Sequence, residues 1–401
     1  MLSNYYIKKL LNLQELNILK IEQHESDTVI YTQLPVKAHI CPLCNHKTTY
    51  VHDYRIRKIK DISAFGKNVI LMHKHRRYVC KHCGKRFAEH NSFAPKYYRV
   101  TLRLINEILK KTESERSFTS IAKELNLSVP TVVRFFDLLS YNAPKELPKV
   151  LAIDEFKGNT GKEKYQVILT DPANGTVLDI LPDRKQSHLI SYFKQWNRSD
   201  RNSVKFFISD MWKPYAELSE AYLKEAIPIV DKYHYIRQVI WAFERVRKRI
   251  QKNYGKESRL LFKHSKKILT MRKSKLYSSQ LEKVEHLLYF NDDLRSAYYL
   301  KELFYEILDC KDSVRCKQML SKWILIAQNS RLKDFQDCSA TFQNWAKSIL
   351  NTFDHPYTNG FTEGCNNKIK VLKRNAYGYR NFDRFRNRIL HMFHYKTKAA
   401  T

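Results

Sequence analysis

Two Cys-x-x-Cys pairs constrain this chain more than any other feature. Cys41-Pro42-Leu43-Cys44 and Cys80-Lys81-His82-Cys83 are separated by about 35 residues. Two residues between thiolates let both sulfurs reach one tetrahedral ion from a single tight turn, and two such turns complete a four-sulfur zinc site. Gly84, after the second pair, fits the sharp turn that aims backbone N–H groups at sulfur. Between the pairs, residues 59–62, 69–72 and 76–79 are expected as strands, and residues 16–21 and 28–31 as an earlier hairpin. A redox pair is a poor alternative, because neither motif sits in a βαβ frame. Cys41, Cys44, Cys80 and Cys83 are therefore expected to hold structural Zn²⁺ in a β-rich module over residues 1–97. Once four thiols fill the site, most of His46, His52, His73, His75, His82 and His90 are expected at the surface or against phosphate and not as ligands. Cys310, Cys316, Cys338 and Cys365 are scattered and read as free thiols, buried or incidental, in a reducing cytosol.

The charge names the kind of partner. Against 40 acidic residues stand 72 Lys and Arg, a formal net charge of +32. Such self-repulsion points to a polyanion. No run approaches the roughly 18 apolar residues of a spanning helix, which argues against a membrane. The N-terminus lacks the pattern of a signal peptide, so the expectation is a cytoplasmic protein. Beside the second Cys pair, Arg76, Arg77 and Lys85 are expected to contact DNA, together with Lys74, Lys81 and Arg86.

Residues 98–141 read as a helix-turn-helix. Leu102, Ile105, Ile108 and Leu109 mark a first helix, residues 118–125 a second, and Val129 to Leu139 a third with Ser128 as N-cap and Pro130 in its first turn. Ile121, Ala122 and Leu125, with Val132, Val133 and Phe136, would form the small core. Ser128, Thr131 and Arg134 would then face the major groove.

After a proline-containing linker the texture changes. Residues 150–156 form an apolar strand with acids near its end, residues 165–170 and 176–181 two more around the turn Asp171-Pro172-Ala173-Asn174-Gly175. A helix over 186–196, a strand over 204–210 ending on Asp210, a helix near 213–224, a strand over 227–231 and a long helix from Lys232 follow. Three hairpin-connected strands and then helix-strand alternation is the order of the ribonuclease-H-like fold. Asp154 and Asp210 would sit on adjacent central strands. Phosphodiester cleavage asks for such carboxylates: two Mg²⁺ (or Mn²⁺) ions roughly 3.5–4 Å apart neutralise the attacking and leaving oxygens, and hard cations take oxygen ligands. Glu155 points to the opposite face and is expected to be structural or to touch DNA. His234, after Asp231, is read as a support for the site or as a capping histidine. Residues 241–349 read as an all-helical insertion, cationic in its first half, with Trp241, Trp323 and Trp345 in its core.

The segments Ala152-Ile153-Asp154-Glu155-Phe156, Ser209-Asp210-Met211-Trp212-Lys213-Pro214-Tyr215 and Asn359-Gly360-Phe361-Thr362-Glu363-Gly364-Cys365-Asn366-Asn367-Lys368-Ile369-Lys370, with Gly378-Tyr379-Arg380 and Phe382 beyond, resemble the DDE transposases of bacterial insertion sequences, specifically the ISL-three (ISL3) group. The resemblance covers nearly the whole chain. It implies that Glu363 joins Asp154 and Asp210 as catalytic residue and Mg²⁺ ligand, and that residues 148–240 and 350–397 form one catalytic domain. Glu363 opens a helix whose Lys368, Lys370, Lys373 and Arg374 suit a flank facing phosphate. The implied activity is binding of terminal inverted repeats followed by strand cleavage and transfer on double-stranded DNA, by a homodimer or higher oligomer. The rivals are a non-catalytic DNA-binding regulator and a structure-specific nuclease of the same fold.

Overall fold

The computed structural model describes residues 8, 9 and 11–394; residues 1–7, 10 and 395–397 of the sequence-derived domains lie outside the described residues. Two compact units emerge. Among the described residues, the first comprises those up to 141 with 371–378 and 387–394, the second 142–370 and 379–386.

In the first unit, β1 (Asn17–Gln23) and β2 (Asp27–Gln33) form the expected antiparallel hairpin. The short strands β3 (His39–Ile40) and β4 (Lys47–Thr48) pair around the first Cys turn. β5 (Val51–Ala64) and β6 (Lys67–Val79) form one long hairpin where three separate strands were expected. Its two-residue turn, Phe65-Gly66, has both φ angles positive, as a type I′ turn requires, and this matches the twist of the flanking strands. β7 (Arg86–Ala88) pairs with β6, and the sheet order is β1-β2-β6-β5. On β6 the alternate residues Val69, Leu71, His73 and His75 are buried. Val69 and Leu71 close a core with Leu16, Ile18, Ile30, Ile59 and Phe93.

α1 (Leu102–Lys111), α2 (Phe118–Glu124) and α3 (Val129–Phe136) follow. Thr101 and Ser117 cap the first two by accepting from the backbone N–H of Leu104 and Ser120. Leu104 rather than Leu102 joins Ile105 and Ile108 inside; Leu102 is exposed, one position off the buried stripe. α3 stops at Phe136, three residues short of the expected Leu139, because Leu138 and Leu139 N–H turn to i−3 carbonyls. Phe135 is buried in place of Val133. The end of the helix Phe382–His394 also belongs here: Arg388 donates to the carbonyls of Ser114 and Arg116, and His391 lies 2.9 Å from that of Leu109 and 2.6 Å from the Tyr141 hydroxyl. Residues 371–378 and 387–394 were expected in the catalytic domain. They group with the helix-turn-helix because buried Arg388 and His391 satisfy carbonyls there.

The second unit centres on a five-stranded sheet of β8 (Val150–Phe156), β9 (Gln166–Asp171), β10 (Thr176–Leu181), β11 (Phe206–Ser209) and β12 (Ile227–Val230), in the order β10-β9-β8-β11-β12. β8, β9 and β10 are antiparallel neighbours; β8, β11 and β12 run parallel. Leu151 and Ile153 of β8 point into a core with Leu189 and Phe193 of α4 (Gln186–Lys194) and Tyr215 and Leu218 of α6 (Lys213–Tyr222). Between these helices lies an unanticipated short helix, α5 (Arg198–Ser203), capped by Asn197. The opposite face of β8, carrying Val150 and Ala152, packs with Ile208, Ile229 and Tyr357.

From Lys232 onward the described chain to Asp354 is helical, with α7 (Lys232–Lys252), α8 (Lys256–His264), α9 (Lys266–Thr270), α10 (Ser278–Tyr289), α11 (Asp292–Asp309), α12 (Ser313–Gln328), α13 (Lys333–Asn344) and α14 (Ala346–Asp354). α7 runs unbroken across residues 240 and 241, so the division expected there falls inside a helix. Trp323 is fully buried among Phe304 and Phe342, and Trp345 packs at the edge of this core. Trp241 is not a core residue: it is 45% exposed, with the Arg237 guanidinium 4.5 Å from its ring. α15 (Gly360–Asn375) and α16 (Phe382–His394) end the described chain.

Candidate catalytic centre and thiol cluster

Parallel pairing of β8 with β11 ends with Ala152 opposite Ile208, so Asp154 and Asp210 both lie two residues beyond the last pair, Asp154 within β8 and Asp210 just after β11. Asp154 shares the face of Val150 and Ala152. Its Oδ1 accepts from the Glu155 backbone N–H at 2.8 Å and its Oδ2 from the Asn366 amide of α15 at 2.9 Å. Burial, with Asp210, Glu155 and Asp231 nearby, pushes Asp154 up to about 7. Burial also pushes Asp210 up to about 6, with the Glu155 charge adding to it and Arg237 opposing; its buried Oδ1 has no partner. Glu363 lies in the first turn of α15, and burial and the Asp231 charge raise its pKa while Lys370 opposes. Among the described residues, the three carboxylates form no group whose ligand atoms all lie within 4.8 Å of one another. A pair of ions set roughly 3.5–4 Å apart does not require such convergence.

Neighbouring groups hold this arrangement. Glu155 pairs with Arg184 at 2.8 Å and accepts from the Tyr215 hydroxyl at 3.4 Å, which is the structural role expected of it. Asp231 caps α7, taking the Tyr233 N–H on one oxygen and the Asn359 N–H on the other. Arg237 donates to His234 Nδ1 at 3.2 Å, and burial and this cation hold the imidazole below its ordinary value. Sequence reasoning assigned no role to Asn359 and Asn366. Both are buried; neither polar atom of the Asn359 amide has a partner, nor does Asn366 Oδ1. Such orphaned amides are expensive unless something occupies them. The signal available was the run of asparagines around Glu363.

The four thiols Cys41, Cys44, Cys80 and Cys83 come together in the first unit, with Cys41 Sγ 3.6 Å from Cys83 Sγ and Cys44 Sγ 3.5 Å from Cys80 Sγ. Asn45 and Gly84 follow their pairs with positive φ, the same turn used twice. The Cys83 backbone N–H beside Cys80 holds its thiol below the ordinary value. Four soft donors in two equivalent turns fit Zn²⁺. His46 and His82 stack at 3.7 Å beside the cluster and are exposed, as expected, but His73 and His75 are buried.

Of the expected DNA contacts, Ser128, Arg134, Lys85, Lys370 and Arg374 are exposed, and Thr131, Arg77, Lys368 and Lys373 are half-buried. Ser128 Oγ lies 2.8 Å from Thr131 Oγ1 and makes no cap bond. Arg77 is paired with Asp53 at 3.1 Å. Arg76 is corrected: it is 2% exposed, bound to Glu89 at 2.7 Å and to the Leu34 carbonyl at 2.9 Å. It braces the fold and does not face solvent. No helix among the described residues is long and apolar enough to cross a membrane.

A thiol cluster, a helix-turn-helix and an acid-bearing α/β sheet, in that order, define a DNA-handling class of protein. Residues 37–83 match the family profile described as "zinc-finger of transposase IS204/IS1001/IS1096/IS1165". Residues 89–139 match the "Helix-turn-helix domain of transposase family ISL3", and residues 151–389 match the DDE_Tnp_ISL3 profile described as "Transposase". The chain belongs to the ISL3 family of transposases. It is similar to the transposase for insertion sequence element IS1001 of Bordetella parapertussis, 27% identical over 378 residues that cover 89% of each chain. A protein of Lactococcus lactis named as an ATP-dependent protease is 31% identical over 172 residues, 42% of this chain and 54% of that one. The transposase for element IS1557 of Mycobacterium tuberculosis is 22% identical over 241 residues, 54% of each.

Proposed function

We propose that this transposase binds the terminal inverted repeats of its own insertion sequence and cleaves and joins DNA through Asp154, Asp210 and Glu363, on a ribonuclease-H-like sheet. The observation that carries the reading is the placement of Asp154 and Asp210 two residues beyond the last pair of the neighbouring parallel strands β8 and β11, with Asn366 of the Glu363 helix bonded to Asp154. Divalent cations, Mg²⁺ or Mn²⁺, when bound, would neutralise charge on the phosphate and on the leaving oxygen. Asp154, Asp210 and Glu363 offer the hard oxygen donors for them, and the unpartnered oxygens of Asp210 and Asn366 are where such a group fits. The chain itself orients the scissile phosphate. In each step an oxygen nucleophile, water and then the freed 3′-hydroxyl, forms a bond to phosphorus as the opposite P–O bond breaks, and its proton leaves to solvent.

Arg134, Thr131 and Ser128 are proposed to read base edges, with Arg77, Lys85, Lys368, Lys370, Lys373 and Arg374 set against phosphates. Two ends handled together call for a homodimer or larger assembly, acting in the bacterial cytoplasm on the nucleoid. Nicking of an end-containing duplex in Mg²⁺ tests the centre: Asp154→Ala, Asp210→Ala and Glu363→Ala should each lower cleavage at least about 10²-fold, while a mobility shift shows end binding retained. Cleavage at the normal rate in any one removes that residue from the centre.

A further inference from the structure

A second set of metal-type donors lies in the first unit, apart from the four thiols. His73 and His75 take alternate positions of β6 and continue the inward register of Val69 and Leu71. Both are buried, and so is Glu89, just after β7. One ligand atom from each of the three lies within 4.8 Å of the others. An imidazole where the strand would otherwise continue in Val and Leu must be desolvated, so it needs partners. These are incomplete: His73 Nε2 and His75 Nδ1 are buried without any.

The surrounding contacts suit ligation. His73 Nδ1 lies 3.2 Å from the Thr32 hydroxyl. With the proton on Nδ1, Nε2 presents a bare lone pair, the arrangement that supports metal-bound imidazoles. Arg76 fixes the Glu89 carboxylate through its side chain at 2.7 Å and its backbone N–H at 3.2 Å. A cavity of about 740 Å³ opens alongside, lined in part by His39, Arg57, His75, Glu89, His90 and Lys96. His39 Nε2 is also buried without a partner.

We propose that His73, His75 and Glu89 bind a first-row transition-metal ion, Zn²⁺ in the cell, at a site separate from the thiols, with His39 or a water completing the shell from the cavity. Two imidazoles and one carboxylate are a borderline donor set that selects Zn²⁺ over Mg²⁺. Arg57 and Arg76 also repel a cation, so this ion binds more weakly than the one held by four thiolates. The bound ion would clamp the β5–β6 hairpin to the segment after β7.

Cobalt titration of the metal-stripped full-length chain carrying Asp154→Asn and Asp210→Asn, which silences the carboxylate centre, tests the site. The intense thiolate-to-cobalt band should saturate at one equivalent, and weak visible bands should continue to grow to a second. Zinc content by mass spectrometry should be two per chain, falling to one in His75→Gln with the thiolate band unchanged. Saturation of all bands at one equivalent overturns the proposal, and so does a second equivalent that survives His75→Gln.

Discussion

The surroundings of Asp154 work against its ionisation. Burial and three neighbouring acids raise it to about 7, against an ordinary value of 3.8, while Asp210 rises to about 6. A carboxyl whose folded value lies above its unfolded one takes up protons on folding at intermediate pH. Its ionisation therefore destabilises the fold as pH rises from about 4 through 7, with the full penalty present above 7. Asp154→Asn should stabilise the Mg²⁺-free protein at pH 8 by an amount on the order of 1–3 kcal/mol, seen as a higher melting temperature, and the gain should vanish near pH 4. Thermal scans across pH measure this; an equal gain at both ends would remove the electrostatic cause. Asp154 and Asp210 stood out as candidates because an acid near the end of an apolar strand contrasts with its background. Asn359 and Asn366 were not, because an amide carries no pattern until its burial is known. Arg76 was misread for the same reason. In the run His75-Arg76-Arg77, only the fold says which cation turns inward.

At the scale of elements, α3 carries an exposed arginine and β6 a buried one. Arg134 projects from α3 with its guanidinium 5.6 Å from the Tyr98 ring, a stacked but exposed cation. Arg134→Ala should change stability by no more than about 0.5 kcal/mol and weaken binding to the inverted-repeat end. Arg76→Ala removes one half of a buried ion pair and should cost about 3–5 kcal/mol. Urea unfolding and end-binding measured side by side separate the two; equal stability in both variants would contradict the burial of Arg76. The order of the main elements was readable, since the hydrophobic period changes from 2 to 3.6 where strands give way to helices, but the short helix α5 was not. Lengths were less readable. The β5–β6 hairpin reads as separate pieces because its charged residues, among them Arg55, Arg57 and Lys58, interrupt the apolar pattern on a solvent-facing strand. α3 stops early through local turn hydrogen bonds that leave no compositional mark.

The whole molecule carries a net charge of +32, which makes its grip on DNA dependent on salt. The logarithm of affinity should fall linearly with the logarithm of salt, and each phosphate contact contributes a slope of about 0.9. Lys85→Ala or Arg374→Ala should lower that slope by about one contact for any duplex, end-containing or not; fluorescence anisotropy at several salt concentrations reads it, and an unchanged slope removes that residue from the phosphate contacts. At this scale the sequence hid one property, because it does not show that the last residues belong with the first. Residues 371–378 and 387–394 join the unit built from residues up to 141, where Arg388 and His391 satisfy the carbonyls of Leu109, Ser114 and Arg116. This has a bearing on synthesis. A nascent chain cannot finish its helix-turn-helix unit until the ribosome has passed residue 394, some 250 residues after α3 emerges. Messages cut short by damage or early termination would then yield fragments with an unfinished helix-turn-helix unit, poorly able to compete for DNA with the full-length protein.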